Sequence, residues 1–170
     1  EALDARPELA YAHPKEREQW KLAKAGQLAQ GDAVAGAKML AARDKMLGLL
    51  AKENVNLLLG SDAPQMFSVP GFSLEHELPA LERAGVSRWQ ILRAATSAPA
   101  AYFGAEAEFG TIQPGRRADL LLLDGDPTAD IRNVHRQAGV MLRGKWLDKN
   151  EIDQRLESIA ATMANIAKKK

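Results

Sequence analysis

The chain has 170 residues, with 23 Lys or Arg against 22 Asp or Glu, so its formal charge of +1 gives no electrostatic reason to expect nucleic acid or an anionic membrane as partner. It contains no cysteine, which excludes disulfides and thiolate-held metals. No stretch approaches the roughly 18 consecutive apolar residues of a membrane span, and the length suits one domain or two small ones.

The opening "EALDARPELAYAHPKEREQW" lacks the apolar core of a signal peptide, and Glu1 stands where an initiator Met would. We therefore expect a chain that is processed or cut from something longer. Cytoplasm, periplasm and secretion all remain compatible with the composition. Residues 1–31 are polar, with Pro7 and Pro14, and read as loops with a short helix over 16–25.

From Asp32 the pattern sharpens. Met39, Leu40, Met46, Leu47 and Leu50 recur at helical spacing and predict one apolar, core-facing side, with Asp32 as N-cap and Asn54 as stop. The run "VNLLL" at 55–59 is apolar without alternation, as in a strand covered on both faces. A long helix followed at once by such a strand is half of a βαβ unit.

After an irregular loop, Ser73 is the expected cap of a helix carrying Leu74, Leu78 and Leu81, closed by Gly85. Ser87 and Gln90 form a capping box for the next helix, with Val86 and Ile91 as its hydrophobic staple. That helix ends before Pro99, and a short turn ends at Gly104. "FGTIQPGRRADLLLLDGDP" predicts strand, Pro-Gly turn and strand, with Gly115 at the positive-φ position and the leucines 120/122 and 121/123 on opposite faces. "AGVMLRGKWLD" predicts a hairpin about Gly144. From Asn150 a terminal helix places Ile152, Leu156, Ile159, Met163 and Ile166 on one face, before a solvated "KKK" end. The expected organisation is 1–104, 105–149 and 150–170.

Asp62 is the leading chemical candidate. It stands where an apolar strand stops abruptly, at Gly60-Ser61-Asp62, and such strand ends hold catalytic groups in α/β barrels. A carboxylate there can bind a hard or borderline cation, or accept a proton from activated water. Turn chemistry is the bland alternative. We expect its carboxylate to face a cleft also lined by loop 64–71. His13, His76 and His135 form no ligand pair such as HxH. His76 follows the Asp62 loop and is the candidate substrate-binding residue; a surface or cap histidine is its plain reading. His135 is given no role. No base accompanies Ser61 or Ser68, and no Gly-rich phosphate loop occurs.

In order and spacing, "LLLGSDAP", "GFSLEHELPALERAGVSRWQILRAATSAPAAYFG", "FGTIQPGRRADLLLLDGDPTADIRNV" and "AGVMLRGKW" resemble the C-terminal part of a metal-dependent amidohydrolase, of the imidazolonepropionase-like and prolidase-like branch, over 33–147. The resemblance implies an α/β fold: the last strand and flanking helices of a (β/α)8 barrel, part of a small composite β-sandwich, and a C-terminal helix. Asp62 would be the strand-eight aspartate, a catalytic residue and metal ligand, and Asp119 in "RRADL" a structural turn residue. The implied reaction is hydrolysis of an amide or related C–N bond, as in an Xaa-Pro dipeptide or an N-acyl amino acid. The implied cofactor is a divalent metal, zinc, as one or two ions in a full-length enzyme. Expected partners are a small amide or peptide substrate, the preceding part of the barrel, and further copies in a homo-oligomer; nucleic acid and a membrane span are not expected. The family's HxH, its bridging lysine or equivalent, and its strand-five and strand-six histidines have no counterpart here, so the isolated chain is expected to be inactive. The alternatives are a non-catalytic scaffold or assembly module on the same fold, and a deaminase or cyclic-amide hydrolase of the same architecture.

Overall fold

Helix starts follow the capping chemistry. In the computed structural model, which describes residues 3–169, two short 3-10 turns, Leu3–Ala5 and Pro7–Tyr11, lead into α1, Pro14–Gln30. The readings of Glu1 and of the last lysine, Lys170, fall outside the described residues. Helix α1 is longer than expected because good helix formers continue to Gln30, and it begins with Pro14 at a position where a proline costs no hydrogen bond. Helix α2, Ala33–Lys52, is capped by Asp32, whose carboxylate accepts from the N–H groups of Val34 (2.8 Å) and Ala35 (3.2 Å). It ends at Glu53, and Asn54 turns the chain at φ +52°.

Two expectations for this part are corrected. Met39, Leu40 and Met46 are exposed rather than core-facing, because nothing among the described residues packs over that side of α2. Residues 55–59 form no strand: among the described residues no second strand lies beside them, and Leu59 N–H instead donates to the carbonyl of Ala94 at 3.0 Å.

Helix α3, Phe72–Arg83, starts at Gly71 (φ +86°) and not at a Ser73 cap. Ser73 lies inside the first turn, and its hydroxyl donates to Val69 O at 2.7 Å. Gly85, at φ +91°, closes the helix as expected. Helix α4, Arg88–Ala95, has the complete Ser87/Gln90 capping box, and Val86 and Ile91 are both buried. Helix α5, Ser97–Tyr102, follows directly and ends before Gly104.

The last third is a three-stranded antiparallel sheet, β1 (Leu120–Leu123), β2 (Gln137–Leu142) and β3 (Lys145–Asp148), in the order β1-β2-β3. Residues 109–112 do not form the expected strand, since no partner ladder reaches them. The register slips between Leu122 and Leu123, so the leucines do not alternate: Leu121 and Leu122 are exposed, while Leu120 and Leu123 are half-buried. The outer edges of β1 and β3 are unpaired among the described residues, as expected of an incomplete sandwich. The hairpin turns at Arg143 (φ +49°) and Gly144 (φ +80°), the two-residue geometry that matches strand twist. Asp119 pins that turn by accepting the Arg143 N–H at 2.7 Å and the Arg117 guanidinium at 2.5 Å, which makes it structural. Asp148 caps α6, Lys149–Lys168, which returns to pack against Pro7–Tyr11, α1 and β2. No helix of the described residues is long and apolar enough to cross a membrane.

Two apolar clusters hold these pieces. One joins Ala51, Leu78, Val86, Ile91 and Ile131, with Leu57 and Leu59 packed against it. The other joins Leu9, Ala12, Phe67 and Val69, with Trp20 and Phe72 packed around them.

Candidate functional site

The scaffold under Asp62 is built by alternation. Leu57 and Leu59 turn inward onto the Ile91 cluster, while Val55 and Leu58 stay about half exposed. The inward pair fixes the direction of the segment, and the chain leaves the core at Gly60. Asp62 itself takes a left-handed conformation, φ +54°, which aspartate tolerates better than most residues. Its carboxylate is exposed and accepts one hydrogen bond, from the Gln65 side-chain amide. The Ala63-Pro64 peptide is cis. Gln65 and Ser68 close a tight turn, Ser68 N–H donating to Gln65 O at 2.8 Å, with Phe67 left-handed at φ +58°.

Beyond that turn the loop is clamped from the N-terminal side. Phe67 is 3% exposed and lies against Trp20, ring centroids 5.9 Å apart, with the Lys24 ammonium 5.4 Å from its centre. Phe72 stacks on Tyr11 at 5.1 Å. Residues 3–24, which sequence reasoning treated as mostly loop, therefore hold the loop that follows Asp62.

His76 lies on α3 with its Nε2 2.5 Å from an oxygen of Glu8, an acid only 5% exposed. It borders an open cavity of about 290 Å³ whose walls include Arg6, Met66, Phe67, Ser68 and Arg83. Asp62 is not among the lining residues; Gln65, bonded to it, leads into the wall formed by Met66, Phe67 and Ser68. His76 thus lines the cavity together with residues 66–68 of the loop, whereas Asp62, expected to face a cleft shared with loop 64–71, is not on its wall. A smaller hollow of about 50 Å³ is lined by residues 54–57 with Gln90, Arg93 and Ala98.

The other two histidines are accounted for. His13 caps α1, its Nδ1 accepting from Lys15 N–H at 3.1 Å. His135 and Gln137 both bond the Glu75 carboxylate, at 2.7 and 2.9 Å, and tie the β part to α3. Glu8 and Arg6 were missed by sequence reasoning. Both sit in a polar, aperiodic stretch, and only the folded partner reveals a buried acid. The nearby "LAY", which supplies the clustered Leu9 and Tyr11, was the available hint.

Among the described residues, no group of three His, Asp or Glu side chains comes close enough to hold a metal ion. Asp62 offers one carboxylate, whereas catalytic zinc sites use about three protein ligands. The residues described here therefore do not fit a self-sufficient metal centre.

Comparison with known proteins places the chain. The amidohydrolase family profile matches residues 32–147. Among solved structures, a bottromycin amidohydrolase aligns over 95% of this chain and 36% of its own, with a TM-score of 0.71 and 25% identity. A putative prolidase from Bifidobacterium longum aligns over 69% of this chain and 30% of its own (TM-score 0.54, 28% identity). A molinate hydrolase aligns over 60% and 25% (TM-score 0.55, 26% identity). No curated protein gives a significant match. The chain spans between a quarter and about a third of the length of these structures. With a profile match over well over half of its residues, and with a mixed helix-and-sheet architecture that follows part of the amidohydrolase fold, the chain belongs to the amidohydrolase family.

Proposed function

We propose that this chain serves an enzyme that hydrolyses an amide or related C–N bond in a small substrate, a dipeptide such as Xaa-Pro or an N-acyl amino acid, on the prolidase-like side of the family. The observation that carries the reading is Asp62: an exposed carboxylate at the exit of a segment anchored in the core, with one amide partner and lone pairs to spare. In that place the carboxylate takes a proton from the attacking water and returns it to the departing amine nitrogen. His76, fixed by buried Glu8, is proposed to bind substrate at the neighbouring cavity.

Zinc, as one or two ions, is the cofactor that this reading implies. The described residues offer it Asp62 alone, so the other ligands belong to parts of the enzyme outside this chain. The exposed sides of Val55, Leu58, Met39 and Met46 mark the surface on which the remainder of the barrel would pack. A homo-oligomer of the complete enzyme is part of the same proposal.

The test is Asp62→Asn in the full-length enzyme, assayed on Xaa-Pro dipeptides and N-acyl amino acids. The exchange is nearly isosteric and leaves the fold intact. An amide cannot take the proton, so turnover falls by roughly 10²–10⁴-fold. Turnover close to wild type would end the assignment.

A further inference from the structure

The cavity lined by residues 66–68 has on its wall a cation for which the described residues supply no counter-charge. Arg6 lies between the two N-terminal 3-10 turns and forms part of the wall. Its Nε is enclosed, yet it has no hydrogen-bond partner among the described residues. A buried donor without an acceptor is costly, and folded proteins nearly always supply one. Arg88, Arg117 and Arg132 pair with Glu82, Asp119 and Asp130, and Arg83, like Arg6 on the cavity wall, has no ion pair among the described residues, but only in Arg6 is an enclosed donor nitrogen left without an acceptor there.

The acids near Arg6 do not fill this role. Glu8 is engaged by His76. Glu77 stands exposed on the cavity wall, where Arg83 offers a second positive charge. The remaining wall is mixed. Ser68 spends its proton on Ser73 Oγ at 2.9 Å, and Leu3, Met66 and Phe67 provide apolar surface. A half-buried arginine beside an apolar wall, in a space of about 290 Å³, suits a small anion with an apolar body. Guanidinium groups prefer planar, two-oxygen acceptors.

We propose that this cavity is a carboxylate-binding site anchored by Arg6, and that it takes the terminal carboxylate of an N-acyl amino acid or dipeptide while the apolar wall covers the adjoining side chain. The identification of that ligand with the substrate rests on the hydrolase reading above; the affinity for carboxylate does not.

The experiment is a calorimetric titration of the 170-residue chain with three probes: N-acetyl-L-proline, its neutral N-methylamide, and inorganic phosphate. The acid binds, and the amide and phosphate bind at least about tenfold more weakly. Arg6→Gln weakens the acid by roughly 10–100-fold, the range for a lost hydrogen bond to a charged group, and leaves the amide unchanged. Arg6→Lys restores part of the affinity. Circular dichroism checks that the variants fold, and the acid-against-amide comparison on the wild type needs no variant. Equal binding of acid and amide, phosphate binding as tight as the acid, or an Arg6→Gln titration like wild type would each overturn the site. Asp62→Asn separates the two readings. If this variant binds the acid normally and the full-length wild-type enzyme hydrolyses nothing, the site stands and the hydrolase reading falls. If the enzyme hydrolyses its substrates while the chain shows no preference for acid over amide, the reverse holds.

Discussion

The β2–β3 hairpin and the segment 55–59 are both short apolar runs, and they end in different states. The hairpin carries its partner within itself. Two left-handed residues, Arg143 and Gly144, reverse the chain, so Leu142 pairs with Lys145 and the ladder follows from there. Segment 55–59 has no such neighbour and is held by side chains alone, Leu57 and Leu59 set into the Ile91 cluster. A local ladder needs only a turn, whereas a strand of a parallel sheet needs elements far away in sequence. What is complete in this chain is what its sequence can close locally.

Three changes probe that contrast. The largest effect is expected from Ile91→Ala. Ile91 is fully buried and supports segment 57–59, so truncation should cost about 2–5 kcal/mol in urea unfolding. A loss below 1 kcal/mol would show that the cluster is not what holds the segment.

A smaller, pH-dependent effect belongs to the hairpin. The Arg143 N–H and then the Arg117 guanidinium hold the Asp119 carboxyl below its ordinary value of 3.8. A carboxyl depressed in the folded state adds stability above its unfolded pKa, and that stability is lost as pH falls through the folded one. The gap in Tm between wild type and Asp119→Asn should therefore be full above about pH 4 and close progressively at lower pH. A gap that does not change with pH would mean that the charge of Asp119 is not what pins the turn.

The smallest effect is expected from Leu58→Thr. Leu58 is 42% exposed, so in this chain the exchange should stay within about 0.5 kcal/mol. In the full-length enzyme, where other strands would cover it, the same exchange should cost about 1–3 kcal/mol. Equal values in the two proteins would contradict the proposed packing of the barrel over this face.

The same division decides what could be read from the sequence. The Asp32 cap, the Ser87/Gln90 box, the Gly85 closure and the Gly144 hairpin are local chemistry, and each stands where its residues predicted. The burial of Met39, Leu40 and Met46 on α2, the strand at 55–59 and the strand at 109–112 were expected from patterns that presuppose a neighbour, and at these places no neighbour is present among the described residues, although Leu47 and Leu50 of the same helix are half-buried. Family membership was legible from the order of motifs over 33–147. Asp62 was singled out as the candidate from the abrupt end of an apolar run. The clamp on its loop was not legible, because Glu8, Leu9 and Trp20 follow no period and meet Phe67 and His76 only after folding. Ser73 was misplaced as a cap because Gly71, with its positive φ, makes the entry turn without a side-chain acceptor.

The distribution of indoles gives the molecule an optical map. Its three tryptophans fall in three places: Trp20 against Phe67 in the clamp, Trp89 largely in solvent on α4, and Trp146 with its ring over Gly139 in the hairpin. Emission from Trp20 alone, in a chain whose other two indoles are replaced, would report the contact of the N-terminal segment with Phe67. Emission from Trp146 alone would follow the sheet, and Trp89 would serve as a solvent reference. The clamp and the hairpin can thus be watched separately, in one molecule, without an added dye.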